Sequence, residues 1–478
     1  MPRPSPAPAG AGRLAGPADV LGLRRMAAGL NLLRRPLPFL CRLRREYGAV
    51  CALPASRPRT LFAFGPEQAR QVLTGAGFVS DSFRHLRLPA GSPMMLLTSG
   101  LLRLNGTVHR RHRQAMQRAF SPRYVNAYSD AIVRFTDEML DRWRPGAQVV
   151  LHEELARLVT RISLATMAGL EDPVAAERLN DKMVRLAAAA GHPLTALVQV
   201  PLPGTPYARM TRLAAEIEEI LRALVADRRA GGAGGDLLGR LAGPEGQEGQ
   251  EGQEGERLTD DELLGEAYTA LCHDSVASSL LWTLVLLDQH RPWWRRLREE
   301  VVQVAGQAPP TPATLARMPV LGRVVKESLR LMPPASFGVR YADEGAEVDG
   351  CAVPRGAMAV VSSFVTHRDP ATFPQPLRFR PERWEDARPA QHEYFPFGLG
   401  QHNCIGRNLA LLEMQLVLTR IMQRAPVVLP AGTVIDPVVR ISTVPGGTVR
   451  ALVTAPGAEA PACVPISGSL TELVALPR

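Results

Sequence analysis

One decapeptide near the C-terminal end constrains this chain more than any other feature: Phe397-Gly398-Leu399-Gly400-Gln401-His402-Asn403-Cys404-Ile405-Gly406. Gly398 and Gly400 allow a tight loop at φ values other residues avoid. Gly406 lets the helix that follows, expected over Asn408 to Met422, approach something flat and large. Cys404 sits just ahead of that helix, where the dipole and free N–H groups favour a thiolate over a thiol. A cysteine beside a glycine turn can also be buried and inert. The phenylalanine, three glycines and a basic residue at these offsets favour the reactive reading.

The stretch resembles the haem loop of the cytochrome P450 family, FGxGx(R/H)xCxG, and matches it completely, with His402 as the histidine variant. The resemblance implies a mainly α fold with a small β-rich lobe around one haem b. It also implies that Cys404 is the axial iron ligand, that Phe397 packs near it, that His402 contacts a haem propionate, and that Gly406 lies on the cofactor side. A thiolate on haem iron pushes electron density toward bound dioxygen and favours O–O cleavage.

Further segments fit the same family. Glu327-Ser328-Leu329-Arg330 is an i, i+3 acid–base pair, followed downstream by Phe379-Arg380-Pro381-Glu382-Arg383-Trp384. Alone, such a pair is usually a weak surface bridge. The resemblance implies a buried Glu327–Arg330–Arg383 triad that locks the haem loop, a structural role. His109 and Arg113, one helical turn apart, match the segment that reaches the haem propionates, and Arg340 matches the downstream propionate arginine. Each of these alone reads equally as a solvated basic face.

Thr259 to Glu262 forms a capping box ahead of an apolar run to Leu287. Such a helix, apolar on all sides, crosses an interior. It contains Leu271-Cys272-His273-Asp274-Ser275, where the family usually shows (A/G)Gx(D/E)T. The resemblance makes Asp274 and Ser275 the acid–alcohol pair beside the dioxygen site, catalytic through proton delivery. Cys272 and Ser275 depart from the pattern in place of glycine and threonine. Ser275 could instead bond back to the Leu271 carbonyl.

Composition narrows the partners. Lys+Arg exceed Asp+Glu by 56 to 46, but aromatics are 5% and no basic–aromatic interleaving appears, which argues against nucleic acid. The six cysteines are scattered, without CxxC pairs, as in a reducing cytoplasm. No signal peptide is visible, and the longest strongly apolar stretch, Leu280 to Leu287, falls far short of a membrane span. Residues 1–20 read as a disordered lead-in, 21–457 as the catalytic domain with a flexible Gln-Glu-Gly insertion at 244–256, and 458–478 as a loose tail. Helices are expected over Gln68 to Leu73, Tyr124 to Trp143 and Met210 to Ala226, and a hairpin turn at Val444 to Gly447.

The expected activity is insertion of one oxygen atom of dioxygen into a C–H or C=C bond of an apolar small molecule of secondary metabolism. Electrons would come from a ferredoxin-type donor served by an NAD(P)H reductase and docking near Arg110, Arg111 and Arg118. By resemblance the substrate walls are Ser92 to Leu101, Ala270 to His273, Ala335 to Val339 and Ser442 to Val444. Two other readings stay open. One is a peroxygenase or an oxidative coupling or desaturation enzyme on the same haem. The other is a non-catalytic binding or assembly partner, which would tolerate loss of Cys404.

Overall fold

The computed structural model describes residue 16 and residues 35–53, 59–231, 235–242, 258–271, 274–458 and 462–477, with only the backbone of residue 274. The expected lead-in apart from residue 16, the Gln-Glu-Gly insertion, Cys272 and His273 lie outside these residues. Helices dominate. Those that build the site are α1 (Gly106–Ala119), α2 (Leu151–Ala168), α3 (Asp260–Leu271), α4 (Asp274–Gln289), α5 (Pro319–Leu331) and α6 (Arg407–Arg424).

The capping box forms as expected: Glu262 N–H donates to Thr259 Oγ1 at 3.3 Å, and Thr259 N–H donates to Glu262 Oε2 at 2.9 Å. From Val276 to Gln289 every residue of α4 is buried. The stretch Asp260–Gln289 is apolar and long enough to cross a membrane by length and composition. The strongly apolar run Leu280 to Leu287 is short, as expected, and the longer stretch passes only when its serines and alanines are counted in. Before Leu280, the hydroxyl and small residues back to Ser275 interrupt the hydrophobic count without adding charge, and Asp288 ends the run after Leu287. The burial explains the composition: 87% of the apolar window lies inside the molecule, packed against elements such as α2.

α5 starts at Pro319, whose missing N–H costs nothing at a helix start. The two oxygens of Glu300 accept the next free donors, Val320 N–H and Leu321 N–H, each at 2.8 Å. The helix ends just before Pro333-Pro334, which cannot continue it.

The β-rich lobe is a five-stranded sheet of β1 (Val50–Leu53), β2 (Thr60–Ala63), β3 (Phe78–Val79), β4 (Gly338–Ala342) and β5 (Met358–Val361), in the order β1-β2-β5-β4-β3. β2 pairs with β5 in parallel, Thr60 opposite Met358, while the other neighbours are antiparallel. A separate hairpin joins β6 (Pro437–Val439) to β7 (Thr443–Pro445). Its turn lies at residues 440–442, not at Val444 to Gly447 as expected. There the Gly446 N–H still donates to the Asp436 carbonyl, so the glycines close the ladder instead of reversing the chain.

Two further expectations are adjusted. The helix expected over Tyr124 to Trp143 is divided into Pro122–Ala127 and Ser129–Leu140. The tail does not trail loosely: Ile466, Leu470, Leu473 and Val474 are buried, and Ala475 N–H donates to the Leu377 carbonyl. Aliphatic side chains at these spacings give the tail a small apolar face of its own, which the polar residues before it obscure in the sequence.

Candidate active site

The Cys404 loop is tied to itself. Cys404 N–H donates to the Phe397 carbonyl at 2.7 Å, Asn403 N–H to Gly400 O at 3.1 Å, and Gly398 N–H to Phe395 O at 3.0 Å. Gly398 and Gly400 both take φ +74°, and a Cβ on Gly400 would lie 2.7 Å from the Leu73 carbonyl oxygen. Glycine is required there on both counts. Gly406 has an ordinary φ of −82°, and a Cβ there would meet only Phe120 at 3.7 Å and the Cys404 sulfur at 4.0 Å. Protein contacts alone do not require that glycine. Its missing side chain leaves one flank of the sulfur open, as a flat ligand on that sulfur needs.

Cys404 presents accessible surface although protein surrounds it closely. Burial holds its thiol above the ordinary value. The Gly406 N–H, Arg113 and Arg407 pull the other way without winning. The helix start alone therefore does not deliver the expected thiolate. A bound cation would, since coordination deprotonates a thiol outright.

Beside the loop sits a cluster of basic groups. His109, on α1, is 1% exposed, and among the described residues neither ring nitrogen has a hydrogen-bond partner. Its ring lies 4.1 Å from that of His402, whose Nε2 is also buried and unpartnered. Burial, then Arg113, His112 and Arg340, push His109 down to about 4. Burial, then His109, Arg340 and Arg113, push His402 down to about 3. Among the described residues Arg340, on β4, bonds only the adjacent Val339 carbonyl, at 2.9 Å. Arg113 bonds the carbonyl of Asn403 at 2.9 Å and its side-chain oxygen, so it braces the loop itself. Among the described residues neither Arg113 nor Arg340 has an ion-pair partner. Four basic side chains with unspent donors and no carboxylate among them form a cradle for an anion. The open-flanked sulfur and this cradle fit an iron macrocycle bearing acidic side groups.

The expected triad assembles. Glu327 and Arg330 are each 0% exposed. Arg330 donates to both carboxylate oxygens at 3.0 and 2.9 Å, and Arg383 Nε donates to Oε1 at 3.0 Å. Sequence reading missed the rest. Trp384 Nε1 donates to Oε2 at 3.0 Å and Arg380 N–H to Oε1 at 2.8 Å. Arg330 spends its remaining donors on the carbonyls of His367, Pro376 and Arg378. A buried indole N–H seeks an acceptor, so Trp384 after Arg383 was the available signal.

A second buried charge group was also missed. On α1, His112 places Nδ1 2.8 Å from Glu266 and Nε2 3.3 Å from Glu262, both on α3. His112 and Glu266 are 1% and 0% exposed at the side chain. Arg111 pairs with Glu262 and stays partly exposed, whereas Arg110 is exposed. The i, i+4 spacing of Glu262 and Glu266 was legible, but their partner lies about 150 residues away.

Ser275 is exposed, although every residue after it in α4 is buried. Phe397 is half-buried against the core, with the Arg407 guanidinium 5.8 Å from its ring. A cleft of about 280 Å³ opens beside the loop, lined by Lys326, Leu329, Tyr394, Phe397, Asn403 and Arg407 among others.

The family model for cytochrome P450 matches residues 28–445. The cyclooctat-9-en-7-ol 5-monooxygenase of Streptomyces melanosporofaciens is 30% identical over 83% of this chain and 86% of its own length. The abscisic acid 8'-hydroxylase 1 of Oryza sativa subsp. japonica is 29% identical over 80% of this chain and 78% of its own. Among solved structures, a retinoic acid-bound cyanobacterial CYP120A1 superposes with a TM-score of 0.75 at 25% identity, covering 89% of this chain and 96% of that one. A mutant cytochrome P450DA haem domain reaches 0.79 at 22%, a likeness of fold. The complete cysteine loop, the closed Glu327–Arg330–Arg383 triad and these matches, which span most of the sequence, place the chain in the cytochrome P450 family, as a monooxygenase.

Proposed function

We propose that this protein inserts one oxygen atom of dioxygen into a C–H or C=C bond of an apolar, terpenoid-like small molecule in bacterial secondary metabolism, using haem b. Bound haem supplies the dioxygen activation and one-electron chemistry. Cys404 ligates the iron, while His109, His402, Arg113 and Arg340 hold the carboxylate side groups. Asp274 and Ser275 hold and pass protons at the carboxylate and the hydroxyl oxygen. The apolar walls at Ser92 to Leu101, Ala335 to Val339 and Ser442 to Val444 seat the substrate and exclude water.

The observation that carries the reading is the cradle: buried His109 and His402, with unpartnered nitrogens, beside the Cys404 loop. The substrate class is supported by similar proteins named for cyclooctat-9-en-7-ol, abscisic acid and retinoic acid, all hydrocarbon-rich molecules. Electrons arrive singly from a ferredoxin-type donor served by an NAD(P)H reductase. The donor docks through acidic groups on exposed Arg110 and on the cleft holding Lys326 and Arg407. The setting is cytoplasmic.

The test is the visible spectrum of the reduced protein under carbon monoxide. A strongly red-shifted Soret band, lost in Cys404→Ala, is the expected result. A band at the position of imidazole-ligated haem, or no haem uptake, would overturn the ligand assignment.

A further inference from the structure

α4 has an unusual problem of orientation. A helix buried all round has no solvent face to fix its rotation about its own axis. Apolar packing alone tolerates small rotations, yet Ser275 at the helix start is useful only if its hydroxyl points one way. Two donors on α4 converge on one acceptor. Ser278 Oγ and Trp282 Nε1 both donate to the carbonyl of Thr443 on β7, Trp282 at 2.6 Å. Ser275, Ser278 and Trp282 fall at i, i+3 and i+7, one stripe of the helix.

Thr443 is itself fixed. Its N–H donates to the Pro334 carbonyl at 2.8 Å, and its hydroxyl bonds Ser336. The Ser336 carbonyl accepts from Ser362 Oγ at 2.9 Å and Phe364 N–H at 3.1 Å. Thr443, Ser278, Trp282, Ser336 and Ser362 are all 3% exposed or less, so these bonds face no competition from water. On the other side of the stripe, Thr283 Oγ1 donates to Ser328 Oγ on α5 at 2.8 Å, next to Glu327.

We propose that Ser278 and Trp282, through their shared acceptor at Thr443, are positioning residues that set the rotation of α4 and so the direction of the Ser275 hydroxyl. The inference rests on the reading of Ser275 as the alcohol beside the iron. Ser279 supplies a control, because its hydroxyl bonds only within the helix, to the Ser275 carbonyl at 2.8 Å.

Carbon monoxide serves as the probe. The infrared stretching band of iron-bound carbon monoxide responds to the placement of nearby hydroxyl groups and needs neither substrate nor redox partner. Holoproteins carrying Ser275→Ala, Ser278→Ala, Ser278→Thr, Ser279→Ala and Ser278→Ala/Trp282→Phe are compared with the parent. Ser278→Ala keeps the Thr443 carbonyl paired through Trp282, so it folds. We expect Ser275→Ala to move the band. Ser278→Ala should move or split it in the same sense, and the double variant further. Ser278→Thr, which keeps the hydroxyl, and Ser279→Ala should stay at the parent position. A parent-like band in Ser278→Ala, or an equal shift in Ser279→Ala, would overturn the positioning role. A parent-like band in Ser275→Ala, with the red-shifted Soret retained, would overturn the alcohol reading beneath it and leave haem–thiolate ligation standing.

Discussion

His112 and Glu266 show what a fully buried charge demands of its neighbours. The imidazole reaches Glu266 with one nitrogen and Glu262 with the other, and Glu266 keeps a second oxygen with no partner. Removing the imidazole leaves the fully buried Glu266 side chain without its partner, a loss of about 3–5 kcal/mol for a broken buried pair. Replacing both by apolar residues removes the charge and its compensation together. His112→Leu should therefore destabilise strongly, and His112→Leu/Glu266→Leu should recover most of the loss, both read by denaturant unfolding. Equal destabilisation in the double variant would show that the pair does more than compensate charge. Glu413, on α6, poses the opposite case. Burial pushes its carboxyl up to about 8, and Oε1 has no partner. Folding thus favours the protonated form. The associated stability is present below the ordinary carboxylate value and is lost as pH rises toward 8. Between about pH 4.5 and 8 the Glu413→Gln protein should lose less stability than the parent, measured by thermal unfolding across that window.

Elements meet where side chains are absent. On α3, a Cβ at Gly265 would lie 2.6 Å from Ser99 Oγ and 2.9 Å from the Gly100 nitrogen. The segment leading into α1 and the helix α3 therefore touch backbone to backbone. Gly265→Ala should force them apart and cost about 1–3 kcal/mol, with a lower midpoint in denaturant. If the midpoint is unchanged, the contact is looser than described. The sequence displays the elements well wherever their chemistry is local. The capping box at Thr259, the proline stop after α5 and the glycine loop before α6 each depend on residues a few positions apart. Rotations and crossings are less legible. Nothing near Gly265 announces Gly100, and nothing near Ser278 announces Thr443, because those partners are fixed by packing across the chain. His109, His402, Arg113 and Arg340 could be named only through family resemblance, since a lone basic residue in an arginine-rich chain carries almost no signal. Arg113 adds a contact that resemblance did not supply, since it also bonds Asn403 of the loop.

At the scale of the whole molecule, the sheet unites chain segments nearly 300 residues apart, as where Leu61 meets Ala359 in parallel. No local pattern encodes such a pairing, so the sequence shows strand-like runs but not their order. Surface charge is likewise a property of the assembled body. Arg111 and Arg110 are neighbours in sequence, yet one is paired with Glu262 and the other faces solvent. Arg110→Gln should lower the salt dependence of electron transfer from an acidic ferredoxin, followed by stopped-flow reduction at two ionic strengths. An unchanged salt slope would move the docking face elsewhere.

The docked segment around Leu473 also serves as a keystone. Arg330 leans on the carbonyls of His367, Pro376 and Arg378, and the same neighbourhood is closed from outside by the last residues of the chain. Arg368 reaches both the Leu331 and the Leu473 carbonyls, and Ala475 pairs with Leu377. The lock around Glu327 thus depends on a wall remote from it in sequence, and loosening that wall would give water a path to Arg330 and its acceptors.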